Sequence, residues 1–192
     1  MQREIGPPRL LLNALLMNTP CSQRLHPDYR IDTTETPRIR SSMLSPTEFL
    51  EVVRLAPLVA IDLIVADADG RVLLGQRRNR PARGTWFVPG GRIRKDERLD
   101  AAFTRIVQTE LGIASMQRSS ARFVGVYEHH YPDNFAAENG IGTHYVVLAY
   151  AFMLDSTVPV GRFDQHSQYA WLWPEELLVR DDVHKNTKEY FR

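Results

Sequence analysis

The sequence holds a single cysteine, Cys21, among 192 residues. An intrachain disulfide is therefore impossible, and a cysteine-based zinc site is excluded. It also has no excess of charge: 24 Lys and Arg stand against 23 Asp and Glu, a formal net charge of +1. So close a balance gives no global electrostatic attraction toward DNA, RNA or an anionic membrane. Long apolar runs are missing too. Leu10–Leu12 with Ala14–Met17, and Leu58–Val65, fall far short of the roughly 20 residues a membrane-spanning helix needs. What is present, 43% hydrophobic and 24% charged residues, can bury the core of one ordinary domain. These features predict a soluble, cytoplasmic protein with neither nucleic acid nor membrane as partner.

Residues 1–42 read differently from the rest. Pro7, Pro8, Pro20, Pro27 and Pro37 are scattered among Arg, Thr and Ser with no period of 2 or 3.6. That predicts a disordered N-terminal extension, with at most a short helix near Leu10–Met17. Glu4 and Asn13 interrupt what a secretory signal would require. At Ser45-Pro46-Thr47-Glu48 the pattern changes to a capping box with proline at the first helical position. Phe49, Val52 and Val53 follow at helical spacing, and Pro57 ends the run. The folded domain is expected over residues 43–192, with Met43 as the physiological start.

Leu58–Ala66 predicts a strand closing on the turn Asp67-Ala68-Asp69-Gly70, and Arg71–Gln76 a second strand, together a hairpin. Residues 77–84 form a basic loop, and Trp86–Val88 a short strand before Pro89-Gly90-Gly91. Leu99, Ala102, Phe103, Ile106, Val107 and Leu111 trace one face of a helix that Gly112 stops. Phe123–Tyr127 and Tyr145–Leu154 read as strands around a polar loop. Residues 155–168 read as a second polar loop, ahead of a strand over Tyr169–Trp173. Pro174 opens a helix, and Asn186-Thr187-Lys188-Glu189 offers a further capping box. This mixture predicts an α+β fold or an α/β/α sandwich.

The chemistry concentrates in Gly90–Ile113. Its glycines let backbone approach a ligand closely. Glu97 and Arg105 carry the charges for a pair that would fix the loop to the helix. Glu110 is the one carboxylate on or beside the apolar face in the last two turns. Near the negative end of a helix dipole it is disfavoured unless a cation compensates, either a metal or a basic side chain such as Arg105.

This stretch resembles the Nudix box, G-x5-E-x7-R-E-U-x-E-E-x-G-U, where U is apolar. Gly91, Glu97, Arg105, Val107, Glu110, Gly112 and Ile113 match at the right spacing, while Ile106 and Thr109 stand where glutamates are usual. Those departures resemble the GDP-mannose mannosyl hydrolase branch, and the resemblance covers nearly all of residues 43–192. It is carried by Pro57-Leu58-Val59, Asn79-Arg80-Pro81-Ala82, Trp86–Arg92, Asp133-Asn134-Phe135, Thr143–Leu148 and Asp164-Gln165-His166.

The resemblance implies a Nudix fold, a mixed β-sheet sandwiched between α-helices, in a homodimer. It implies hydrolysis of GDP-mannose, or GDP-glucose, by attack of water at the anomeric carbon with inversion. His166 would be the base, a role its ordinary pKa near 6.5 allows. Glu110, Gln165 and the backbone carbonyl of Gly90 would hold Mg²⁺ or Mn²⁺. Arg77 and Arg92 would bind the diphosphate and Tyr145 would donate to the leaving group, with Asp62 and His129 as supporting residues at the sugar. Gly91, Glu97, Arg105 and Gly112 would shape the box. A conventional Nudix diphosphatase cutting a P–O bond is the first rival, and Ile106 and Thr109 count against it. A non-catalytic Nudix sensor is the second, and no output module such as a helix-turn-helix is visible in the sequence.

Overall fold

The computed structural model describes residues 44–154 and 166–192. Strand β1 (Leu58–Ala66) is the axis of the sheet, and every residue in it except Val59 is buried. Such a continuous apolar run belongs to a strand covered on both faces. β1 pairs antiparallel with β2 (Val72–Arg77) and β4 (Gly90–Arg92). β3 (Trp86–Phe87) lies beside β2. β5 (Arg122–Tyr131) runs antiparallel to β6 (Thr143–Met153), which pairs in parallel with β1 from Leu58↔Tyr145 to Ala66↔Met153. β7 (His166–Leu172) pairs with β2. Among the described residues the result is one mixed seven-stranded sheet.

Helix α1 (Pro46–Leu55) precedes the sheet, and α2 (Leu99–Leu111) packs on one face of it. Ala102, Phe103, Ile106, Val107 and Leu111 of α2 meet Ile61, Leu63 and Val65 of β1 there. The opposite face is covered by Leu177 of α3 (Pro174–Val179), by Val183 and by Tyr190 at the end of α4 (Lys185–Glu189). The fold is thus the mixed sheet between helices that the sequence predicts. α2 ends where expected, with Gly112 at φ 75, a left-handed conformation that suits glycine.

Three expectations need correction. β5 continues through Glu128–Tyr131, because His129 and Tyr131 are buried inward-facing residues. Their polarity hides the period-two pattern from the sequence. β7 begins at His166 rather than Tyr169, so His166 is a buried strand residue and not part of a solvated loop. α4 begins at Lys185, and its cap is His184, whose Nδ1 accepts from the Asn186 N–H at 3.2 Å. Asn186 and Thr187, expected at the cap, are buried inside that helix. The expected extension 1–42, Met43 and Gln165 lie outside the described residues.

Candidate active site

Period two along the strands builds a cleft of about 360 Å³. Ile61 and Leu63 point toward α2, so Ala60 and Asp62 emerge on the other face of β1. Tyr145 of β6 and His129 of β5 open onto the same cleft.

Arg77 closes β2 and Arg92 closes β4, and both line the cleft. Arg92 stacks on the ring of Phe49 from α1, its Cζ 3.7 Å from the centroid. Phe49 in turn meets Phe135 at 4.8 Å between centroids. The Arg92 carbonyl accepts from Arg105 Nη2 at 2.8 Å. Arg105 grips Glu97 through two bonds, Nε to Oε1 at 2.6 Å and Nη2 to Oε2 at 2.8 Å. Glu97 also accepts from the Arg94 N–H at 2.9 Å, which fixes the loop before α2. Burial raises the pKa of the Tyr145 hydroxyl, so it stands in the cleft as a neutral donor.

A hydrogen-bonded group is built around Asp62. The Tyr190 hydroxyl donates to Asp62 Oδ2 at 2.6 Å and lies 3.2 Å from His129 Nε2. Burial pushes the Asp62 carboxyl up to about 6 and His129 down to about 4. A side chain at Gly90 would overlap Asp62 Oδ1 and stand 2.7 Å from the Ile61 carbonyl, so only glycine fits there.

A second acid group lies between the sheet and α2. Glu110 and His166 are almost wholly buried, with His166 Nδ1 3.6 Å from Glu110 Oε2. The Tyr169 hydroxyl is 3.2 Å from His166 Nδ1 and donates to the Glu110 carbonyl at 3.3 Å. Burial, with Arg77 nearby, lowers His166 to about 4. Burial raises Glu110 to about 7, while Arg77 pulls the other way. A Cβ at Gly75 would overlap the His166 ring, 2.6 Å from Cγ and 2.9 Å from Nε2. Gly75 is thus the seat of the imidazole.

Among the described residues, Glu110 Oε2, His166 Nε2 and Arg77 Nε are buried without a hydrogen-bond partner. A carboxylate oxygen in that condition fits a divalent cation as its missing partner. No three His, Cys, Asp or Glu side chains gather among the described residues. Ile106 does not contribute: it is buried in the core, with its Cγ1 facing Gly91.

Of the residues named from sequence, Asp62, Arg77, Gly90, Gly91, Arg92, His129 and Tyr145 line the cleft together. Glu110 and His166 do not line it, and Arg77 carries its charge to both groups. Sequence reasoning missed Tyr190, Tyr169, Gly75, Phe49 and Phe135. For Gly75 a signal existed, since a glycine inside an apolar strand marks a close approach.

A family model for the NUDIX domain matches residues 56–192. The low-salt glycan biosynthesis protein Agl8 of Haloferax volcanii is 40% identical over 121 residues, 63% of this chain and 74% of that protein. An ADP-ribose pyrophosphatase of Methanocaldococcus jannaschii is 34% identical over 73 residues, 38% of this chain and 41% of that protein. The crystal structure of a MutT NUDIX hydrolase from Burkholderia pseudomallei superposes with a TM-score of 0.54 at 26% identity, covering 70% of this chain and 95% of the other. With the box geometry already in view, the match across the whole sheet and its helices settles the kinship: the chain belongs to the NUDIX family of hydrolases.

Proposed function

We propose that the chain hydrolyses a nucleotide sugar, GDP-mannose or GDP-glucose, to GDP and the free hexose by attack of water at the anomeric carbon with inversion. The observation that carries this reading is the lining of one cleft by guanidinium groups, a phenol and a buried acid. Arg77, Arg92 and Tyr145 line it together with Asp62 and His129, both of which meet the Tyr190 hydroxyl. Planar guanidinium forks match diphosphate oxygens, whereas a ring bearing hydroxyls suits Asp62 and His129. Arg77, Arg92 and Tyr145 bind the diphosphate and stabilise the charge that develops as the anomeric C–O bond breaks and its electron pair departs with GDP.

His166 is the base in this reading. Its ring is neutral at pH 7 and its Nε2 is unpartnered among the described residues, the basic nitrogen in the tautomer that carries its proton on Nδ1. The water gives its proton to Nε2 while its oxygen bonds the anomeric carbon opposite the departing diphosphate. Nε2 is buried against Gly75, which makes His166 the assignment most exposed to test.

Nudix hydrolases generally use a divalent ion such as Mg²⁺ or Mn²⁺. Here Glu110, the Gly90 carbonyl and Gln165 would hold it, and when bound it neutralises charge on the diphosphate. Ile106 lies in the core and Thr109 is uncharged, so Glu110 lacks the companion acids that assemble a nucleophile on phosphorus. A cytoplasmic homodimer, with the folded domain over residues 43–192, completes the reading.

The relative named for glycan biosynthesis supports a sugar-nucleotide substrate. The relative named ADP-ribose pyrophosphatase favours a second reading, a conventional diphosphatase that cuts a P–O bond of a nucleotide sugar or dinucleotide. Turnover of GDP-mannose with Mg²⁺ in ¹⁸O-labelled water, read by mass spectrometry, separates them. Carbon attack gives GDP and labelled mannose. GMP and mannose 1-phosphate, with label in either, would establish phosphorus attack and remove His166 from its role.

A further inference from the structure

We infer that Tyr190 is a positioning residue that turns Asp62 and His129, both lining the cleft, into a pair of acceptors, selecting a ring that presents two hydroxyl donors. The inference rests on the nucleotide-sugar reading above and deepens it.

A tyrosine hydroxyl has one proton to give. Two acceptor-capable atoms face that of Tyr190, Asp62 Oδ2 at 2.6 Å and His129 Nε2 at 3.2 Å. The shorter contact, to a carboxylate oxygen, takes the proton. His129 Nε2 must then be the donor to the tyrosine oxygen, which places the imidazole proton on Nε2 and leaves Nδ1 as the acceptor. Burial, with His184 and His130 nearby, keeps this ring neutral. Asp62 Oδ1, lying over Gly90, is an acceptor as well. One hydroxyl thereby sets the polarity of both groups.

An acceptor-only pair bonds hydroxyl groups and finds nothing to bond in a phosphate, which at neutral pH is itself acceptor-rich and anionic. The consequence is a fixed direction for the substrate, with diphosphate toward Arg77 and Arg92 and the ring toward Asp62. Tyr190 does not line the cleft. It acts through Asp62 and His129.

The test uses the full chain. Long-range ¹H–¹⁵N correlation NMR on the wild type at neutral pH should show His129 protonated on Nε2, and protonation on Nδ1 would overturn the inference. Tyr190→Phe should lower kcat/KM for GDP-mannose about 10- to 100-fold while changing the inhibition constant of GDP less than about twofold. Equal losses for both ligands, or no loss, would also overturn it. Should Tyr190→Phe fail to fold, the wild-type tautomer decides alone. A wild type that hydrolyses no GDP-hexose defeats the nucleotide-sugar reading itself, an outcome separate from those two.

Discussion

Asp62–Tyr190–His129 and Glu110–Tyr169–His166 are two groups of the same composition, an acid, a tyrosine and a histidine, on the two sides of Arg77's reach. In both, burial raises the acid, to about 6 and about 7, and lowers the histidine to about 4. The tyrosines make the difference. Tyr190 donates to the carboxylate itself. Tyr169 donates to a backbone carbonyl and leaves Glu110 Oε2 with no partner among the described residues. A satisfied acid is organised to meet neutral hydroxyls, whereas an unsatisfied one is organised to meet a cation.

The largest effect should come from removing the proposed base. His166→Gln should lower kcat by about 10²–10⁴-fold and leave GDP binding intact. A near-normal kcat in steady-state assays would shift the base to the Asp62 group and collapse the division of labour.

Glu110→Gln should cost about 10²–10³-fold of the metal-activated rate. It should also show in melting curves without metal. The folded protein holds the Glu110 proton more tightly than the ordinary 4.5. This contribution is complete below 4.5 and lost as pH rises through about 7. Wild type and Glu110→Gln should therefore diverge in Tm as pH rises, with wild type falling further. Added Mn²⁺ should restore only the wild type, and parallel curves would show that Glu110 is not an uncompensated acid.

Gly75→Ala should displace His166 and reduce kcat by about 10²-fold with little change in the inhibition constant of GDP. Phe49→Leu should act through Arg92 alone, weakening GDP by about two- to tenfold through loss of their stack. Calorimetric titration with GDP reads both.

The sheet and the box were the legible parts of this sequence. Leu58–Ala66 announced a strand through its apolar and β-branched residues, and Glu97 and Arg105 announced a pair through charge and spacing. Asp62 stood out as the one acid inside that strand, yet its tyrosine did not, because the pair is 128 residues apart in the chain. His166 was placed in a polar loop because the polar stretch Ser167-Gln168 masks the start of β7. Their side chains bond Gln76 on the neighbouring strand, a tertiary partner that periodicity alone does not reveal. The tautomers were beyond reach for a similar reason. They depend on which hydroxyl arrives beside each ring.

That separation of Asp62 and Tyr190 also orders events during synthesis. Asp62 leaves the ribosome early, and its strand can close with β2 and β4 from nearby sequence. The parallel partner β6 comes much later, and α4 later still. Contacts so distant in sequence form slowly and only once the intervening chain has been gathered in. A molecule with Tyr190 seated on Asp62 is therefore one in which α4 has already docked on the sheet, and the Asp62–Tyr190 bond doubles as a report that the C-terminal helix is in place.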